Sequence, residues 1–118
     1  MSAARQALGD WGEARAEAYL RGQGMRILGR KVRTRLGEID LVALDRDTLV
    51  FVEVKARAQA SPGTDPLENV HRAKQARLGR AAAAYLMDVP GSPACRFDVV
   101  ALIRRPERIE HHPGAFTL

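Results

Sequence analysis

The chain has 118 residues, 46% of them apolar and 28% charged, with a formal net charge of +5. One cysteine, Cys95, excludes an internal disulfide framework and a cysteine-rich zinc cage, and no apolar run approaches the roughly 18 residues of a membrane span. Met1 to Gln6 lacks the hydrophobic region of a signal peptide, so one cytoplasmic domain over residues 1–118 is expected, with 1–8 frayed and 113–118 a loose tail.

Asp10-Trp11-Gly12-Glu13 fits a capping box, with Asp10 as N-cap and Glu13 reaching back. Trp11, Ala14 and Ala18 then recur at helical spacing, supported by Leu20, and Gly22 or Gly24 ends the helix. Met25 to about Arg35 reads as a first strand, with Lys31, Arg33 and Arg35 on one face. From Gly37 to Leu44, Ile39, Leu41 and Ala43 alternate with Glu38, Asp40, Val42 and Leu44. From Leu49 to Arg57, Val50, Val52, Val54 and Ala56 alternate with Leu49, Phe51, Glu53, Lys55 and Arg57. Period two with β-branched residues predicts two strands, and Asp45-Arg46-Asp47-Thr48 between them suits a tight hairpin.

Ala58 to Thr64 is a small-residue loop with Pro-Gly punctuation. Asp65-Pro66-Leu67-Glu68 opens a second helix to about Met87, with Leu67, Val70, Lys74, Leu78, Ala81, Ala82 and Tyr85 as its buried stripe. Lys74 interrupts that stripe and either snorkels past the sheet edge or points toward the acidic residues of the hairpin, with Gln75 and His71 alongside. Cys95 to Ile103 is a nearly continuous apolar strand, joined to the third by a helical crossover and therefore parallel to it. Glu107 to His112 is an optional edge strand. Cys95 reads as a small buried hydrophobe, and Asp98 calls for a backbone or arginine partner. His111 and His112 lack a companion at ligand spacing, and no serine–histidine set, P-loop or dinucleotide fingerprint is present.

With Arg46 and Asp47 as the loop, Asp45 pairs with Thr48, Asp40 with Glu53 and Glu38 with Lys55. Directly opposed like charges destabilise a sheet, and a divalent cation between Asp40 and Glu53 removes the conflict. Magnesium or manganese accepts one or two carboxylates plus water and substrate phosphates. Lys55, on the same face, completes an arrangement suited to phosphodiester cleavage. Without a metal role, the same residues form a solvated hairpin end with a cross-strand ion pair. The basic residues Arg26, Arg30, Lys31, Arg33 and Arg35, and His71, Arg72, Lys74, Arg77 and Arg80, favour a polyanionic partner.

An Asp on the second strand with Glu-x-Lys on the third, in α-β-β-β-α-β order, resembles the restriction-endonuclease-like fold of the PD-(D/E)xK nucleases. Gly12-Glu13, Gly37-Glu38-Ile39-Asp40-Leu41, Phe51 to Arg57 and Cys95 to Val100 are similar to the signature segments of the bacterial YraN-type family, related to archaeal Holliday-junction resolvases. The likeness covers about Gly9 to Leu102. It implies an α/β fold with a central mixed sheet and helices on both faces. It further implies Asp40 and Glu53 as metal ligands, the Val54 carbonyl as a further contact, Lys55 as the motif lysine and Glu13 as a supporting glutamate. Ile39 stands where the motif carries proline.

The expectation is therefore a Mg²⁺- or Mn²⁺-dependent endonuclease acting on structured or branched DNA. Lys31, Arg33, Arg35, Arg57, Lys74, Gln75 and Arg77 would meet the nucleic acid, and cutting a junction suggests a homodimer. The alternatives are a catalytically silent nucleic-acid-binding module assisting a DNA-processing partner, and a protein-interaction domain using a sheet edge.

Overall fold

The computed structural model describes residues 2–59 and 72–117. In chain order the elements are α1 (Ala3–Gly22), β1 (Arg26–Thr34), β2 (Gly37–Asp45), β3 (Thr48–Gln59), α2 (Arg72–Met87), β4 (Cys95–Arg105) and β5 (Glu107–Phe116). The five strands form one sheet in the order β1-β2-β3-β4-β5. All neighbours are antiparallel except β3 and β4, which are parallel across the α2 connection. This is a mixed α/β fold.

The alternation along β3 divides the core in two. Val50 and Val52 join Leu41, Ala43, Val100 and Leu102 under Ala16 and Leu20 of α1. Leu49 and Phe51 join Ile39 and Val42 under Leu78, Ala81 and Ala82 of α2. Each helix thus covers one face, as period-two strands buried on both sides require.

Helix α1 starts earlier than its sequence suggests. Ser2 is the N-cap, its hydroxyl accepting from the Arg5 amide at 3.1 Å, so residues from Ala3 onward are helical rather than frayed. Asp10 and Glu13 lie inside the helix, and no capping box forms there. The buried stripe is Gly12, Ala16 and Leu20, whereas Ala14 and Ala18 are exposed. The phase is set by close approach to the sheet: a Cβ on Gly12 would lie 2.6 Å from the Ala56 Cβ. A small residue at this position lets α1 rest on β3.

The hairpin register holds from Asp45↔Thr48 to Leu41↔Val52. Beyond that point the ladder ends, so Asp40 and Glu53, and Glu38 and Lys55, are not Cα partners. The alternation also breaks. Leu41 faces α1, but Ile39 faces α2 rather than sharing the Leu41 side. The same switch occurs across the β1–β2 ladder, where Lys31 has φ 48° between the pairs Arg30↔Leu41 and Val32↔Ile39. Arg30 and Lys31 both reach α1, through Glu17 and through Asp10 and Glu13. Lys31 therefore does not share a face with Arg33, and Arg35 lies past the strand end.

Strand β3 continues to Gln59, so Ala58 and Gln59 are strand rather than loop. The expected N-cap Asp65, with Pro66, Leu67, Glu68, Val70 and His71, falls outside the described residues. Cys95 is exposed, because β4 begins with it at the rim of the sheet beside Leu49. The expected loose tail is strand as far as Phe116, which stacks on Phe97 with ring centroids 5.2 Å apart.

Asp98 explains how β5 is held. Its carboxylate is fully buried and accepts from Arg96 Nε at 3.0 Å, His111 Nε2 at 2.8 Å and the Gly114 amide at 3.0 Å. The expected backbone and arginine partners are both present. His111 packs edge-on against Tyr19 of α1. Arg96 also binds Asp45 at 2.8 Å, and its hydrogen bond to Asp98 is the main reason its pKa is raised.

Candidate metal centre

The candidate centre opens where the β2–β3 ladder ends. Freed from ladder pairing, Asp40 turns its carboxyl so that Oδ2 accepts from the Val54 amide at 2.8 Å. Glu53 lines the same cleft, and its charge acts on Asp40. The two acids meet on the α2 side, as the sequence suggests, but through a local departure from the ladder rather than direct register.

Glu53 is buried at 8% exposure on the same face as Phe51. Burial, followed by the Glu53 charge, pushes the Asp40 carboxyl up to about 7, against the lowering effect of the Val54 amide. Such a pair keeps a proton or demands a cation.

Two lysines face the acids. Lys74 of α2 places its Nζ 2.5 Å from Glu53 Oε1. This selects the inward alternative for Lys74. Burial pulls its ammonium down, but the hydrogen bond to Glu53 and the Glu53 charge outweigh that, and its pKa is raised. Lys55 lies close enough to feel the Lys74 charge, and its pKa is lowered by burial and then by that charge. Asp40, Glu53 and Lys74, with Gly37, Glu38, Arg77 and Leu78, line a cleft of about 370 Å³. Gly37, at φ 144°, sits where an added Cβ would meet the Ala81 Cβ at 3.4 Å.

The other expected residues divide. Glu13 is on α1, 3.8 Å from Lys31, yet its charge is felt at Asp40. Burial raises its own pKa while Lys31 opposes the rise. Lys31 binds Asp10 at 2.6 Å and is committed to the α1 side. Arg33 and Glu38 form an exposed cross-strand pair at 3.6 Å. The exposed Arg35 touches the Met87 sulfur, and Arg77 is exposed at the cleft. Arg57 and Gln75 are both part-buried.

Among the described residues no group of three or more His, Cys, Asp or Glu side chains has metal-holding geometry. The donor set is two carboxyls, so it fits an oxygen-seeking dication that keeps several waters, and does not fit a fully protein-caged one. The like charges facing one part-buried cleft, which raise Asp40, supply the chemical reason for a cation there.

Residues 12–102 match the family described as Uncharacterised protein family UPF0102. The chain belongs to this family. It is 48% identical over 119 residues to a UPF0102 protein of Syntrophotalea carbinolica, covering 98% of this chain and 96% of that one. Identity is also 48% over 118 residues to a UPF0102 protein of Chlorobium phaeobacteroides, covering 92% and 93%. A UPF0102 protein of Parafrankia sp. is 46% identical over 115 residues, covering 94% and 97%. The YraN-type resemblance is thereby borne out at the level of the family. The UPF0102 block runs from Gly12, at the α1–β3 approach, to Leu102 in β4, and thus contains both acids and both lysines. Strand β5 lies beyond it.

Proposed function

We propose that this chain is a metal-dependent endonuclease that cleaves phosphodiester bonds in structured or branched DNA. The observation that carries the reading is the convergence of the Asp40 and Glu53 carboxyls on one cleft with Lys74, and Lys55 alongside. Support also comes from the element order α-β-β-β-α-β-β, which resembles that of the PD-(D/E)xK nucleases with one added strand. The basic composition agrees with a polyanionic substrate.

Asp40 and Glu53 would hold Mg²⁺ or Mn²⁺, with the Val54 carbonyl as a further oxygen. A divalent ion bound there supplies polarisation of the phosphate and acidification of water. Asp40 is pre-aimed by the Val54 amide, so ligand geometry is set before substrate arrives. Lys55, its ammonium destabilised by burial, orients the attacking water or meets the charge that develops on phosphate. Glu13 adds negative potential from the α1 side. Arg33, Arg35, Arg57, Gln75 and Arg77 contact the substrate, and Lys31 contributes from its α1-bound position. Cutting both strands of a junction calls for two copies of the chain.

The test is cleavage of an end-labelled four-way junction with Mn²⁺ or Mg²⁺. Glu53→Gln keeps shape and removes charge. It is expected to lower the rate by at least ~100-fold, since even residues that only support metal ligands cost about 10–100-fold. Equal cutting by both proteins would refute the assignment.

The Glu53–Lys74 ion pair favours a second reading, a catalytically silent nucleic-acid-binding module assisting a processing partner. That module binds DNA with strong salt dependence, cuts nothing and is indifferent to added metal.

A further inference from the structure

Lys74 stands in an unusual place for a helix lysine. It lies in the stripe of α2 that continues as Leu78, Ala81 and Ala82, where an ammonium normally extends outward along the apolar surface to water. Here it turns inward. Its side chain is 31% exposed, that of Glu53 is 11% exposed, and their charged atoms are 2.5 Å apart. The same amine lines the cleft with Asp40 and feels its charge, with Lys55 alongside. One protein cation therefore sits among the three groups to which the proposed function assigns metal binding and water activation.

We infer that Lys74 is a resident counter-cation that exchanges with the divalent ion at Asp40 and Glu53. This rests on the reading of those acids as a metal site. A buried Glu53 and a part-buried Asp40 facing one cleft need a compensating positive charge, and without a dication α2 supplies it. The price is lower metal affinity, because Glu53 Oε1 is already occupied. Exchange then frees an ammonium at the mouth of the cleft, beside Arg77, where a substrate phosphate arrives. Metal and DNA thus favour each other's binding: metal releases the lysine, and phosphate gives the released lysine a partner. By linkage the help is mutual. Lys74 is in this sense a positioning residue that couples the two ligands.

The chain has three lysines, Lys31, Lys55 and Lys74, so amine labelling reads the exchange site by site. The full chain is treated with an acetylating reagent with and without Mn²⁺, and labelling is followed by peptide mass spectrometry. Lys74 is expected to react several-fold faster with Mn²⁺, while Lys31, held by Asp10 on the α1 side, keeps its rate. In parallel, Mn²⁺ is titrated calorimetrically into wild type, Lys74→Met and Lys74→Arg. Lys74→Met should bind about tenfold more tightly, because no competing state has to be emptied, and Lys74→Arg should resemble wild type.

Tighter binding by Lys74→Met with unchanged Lys74 labelling would mean simple charge repulsion and would overturn the exchange. So would unchanged labelling together with equal affinities in all three proteins, although the metal site itself would survive. Absence of Mn²⁺ heat from all three proteins would remove the site and the exchange together. If Lys74→Met fails to fold, wild-type labelling and the arginine variant still decide the matter.

Discussion

Asp40→Asn is expected to melt several degrees above wild type at pH 8 in metal-free buffer, while losing metal-dependent cutting. The Asp40 carboxyl is raised from 3.8 to about 7 by burial and by the neighbouring Glu53 charge. Below pH 3.8 folded and unfolded chains both carry the proton, and the site costs nothing. Between 3.8 and about 7 the unfolded chain releases its proton first, so stability falls as pH rises; above about 7 the loss is complete. The interval corresponds to a few kcal/mol. An amide at this position keeps an oxygen for the Val54 N–H and has no charge to lose. The advantage of the variant should therefore be small at pH 4 and grow to pH 8. Adding Mn²⁺ should raise the wild-type melting temperature and leave the variant unchanged, because only a ligand bound to the folded state stabilises it. Thermal melts across pH, with and without Mn²⁺, check all of this. A variant less stable than wild type at pH 8 would show that the acid pair serves the fold.

The second large effect lies on the other face of the sheet. Asp98→Ala is expected to cost about 3–5 kcal/mol, the range for breaking a buried charge pair by removing one partner. Asp98 has no exposed surface and gathers Arg96, His111 and the Gly114 amide around one carboxylate. Removing it strands those donors where Arg96 and His111 are partly covered. It also unfastens β5 from β4 near Gly114, so urea unfolding should report the loss together with faster amide exchange in β5. Because Asp98 faces α1 and Glu53 faces α2, Mn²⁺ binding by the folded fraction should persist. A destabilisation under 1 kcal/mol would mean that Arg96 finds enough in Asp45 alone.

Much of the sheet is legible in the residue order, because alternation and a short polar turn leave the hairpin one register that buries both apolar faces. The departure at Asp40 is less legible. It depends on Lys31 adopting φ 48° opposite the end of the β2–β3 ladder, and nothing about a lysine announces a left-handed backbone. The acid pair is legible as a pattern, whereas the Val54 amide that aims it is not. Lys74 was visible as a charge in an apolar stripe, and only packing could choose its direction. Both Ser2 and Asp10 are residue types that cap helices, so local sequence does not distinguish the start of α1 at Ala3 from one at Trp11. Pro113 and Gly114 gave the C-terminal strand the look of a tail. Its order comes from a long-range partner, Asp98, which local composition does not encode.

The central claim is that Asp40 and Glu53 form one divalent-ion site. Calorimetric titration of Mn²⁺ into wild type and into the double variant Asp40→Ala/Glu53→Ala tests it most directly. Saturable binding by wild type, absent from a double variant that remains folded, is the expected outcome. Identical heats from the two proteins, or none from wild type, would contradict it.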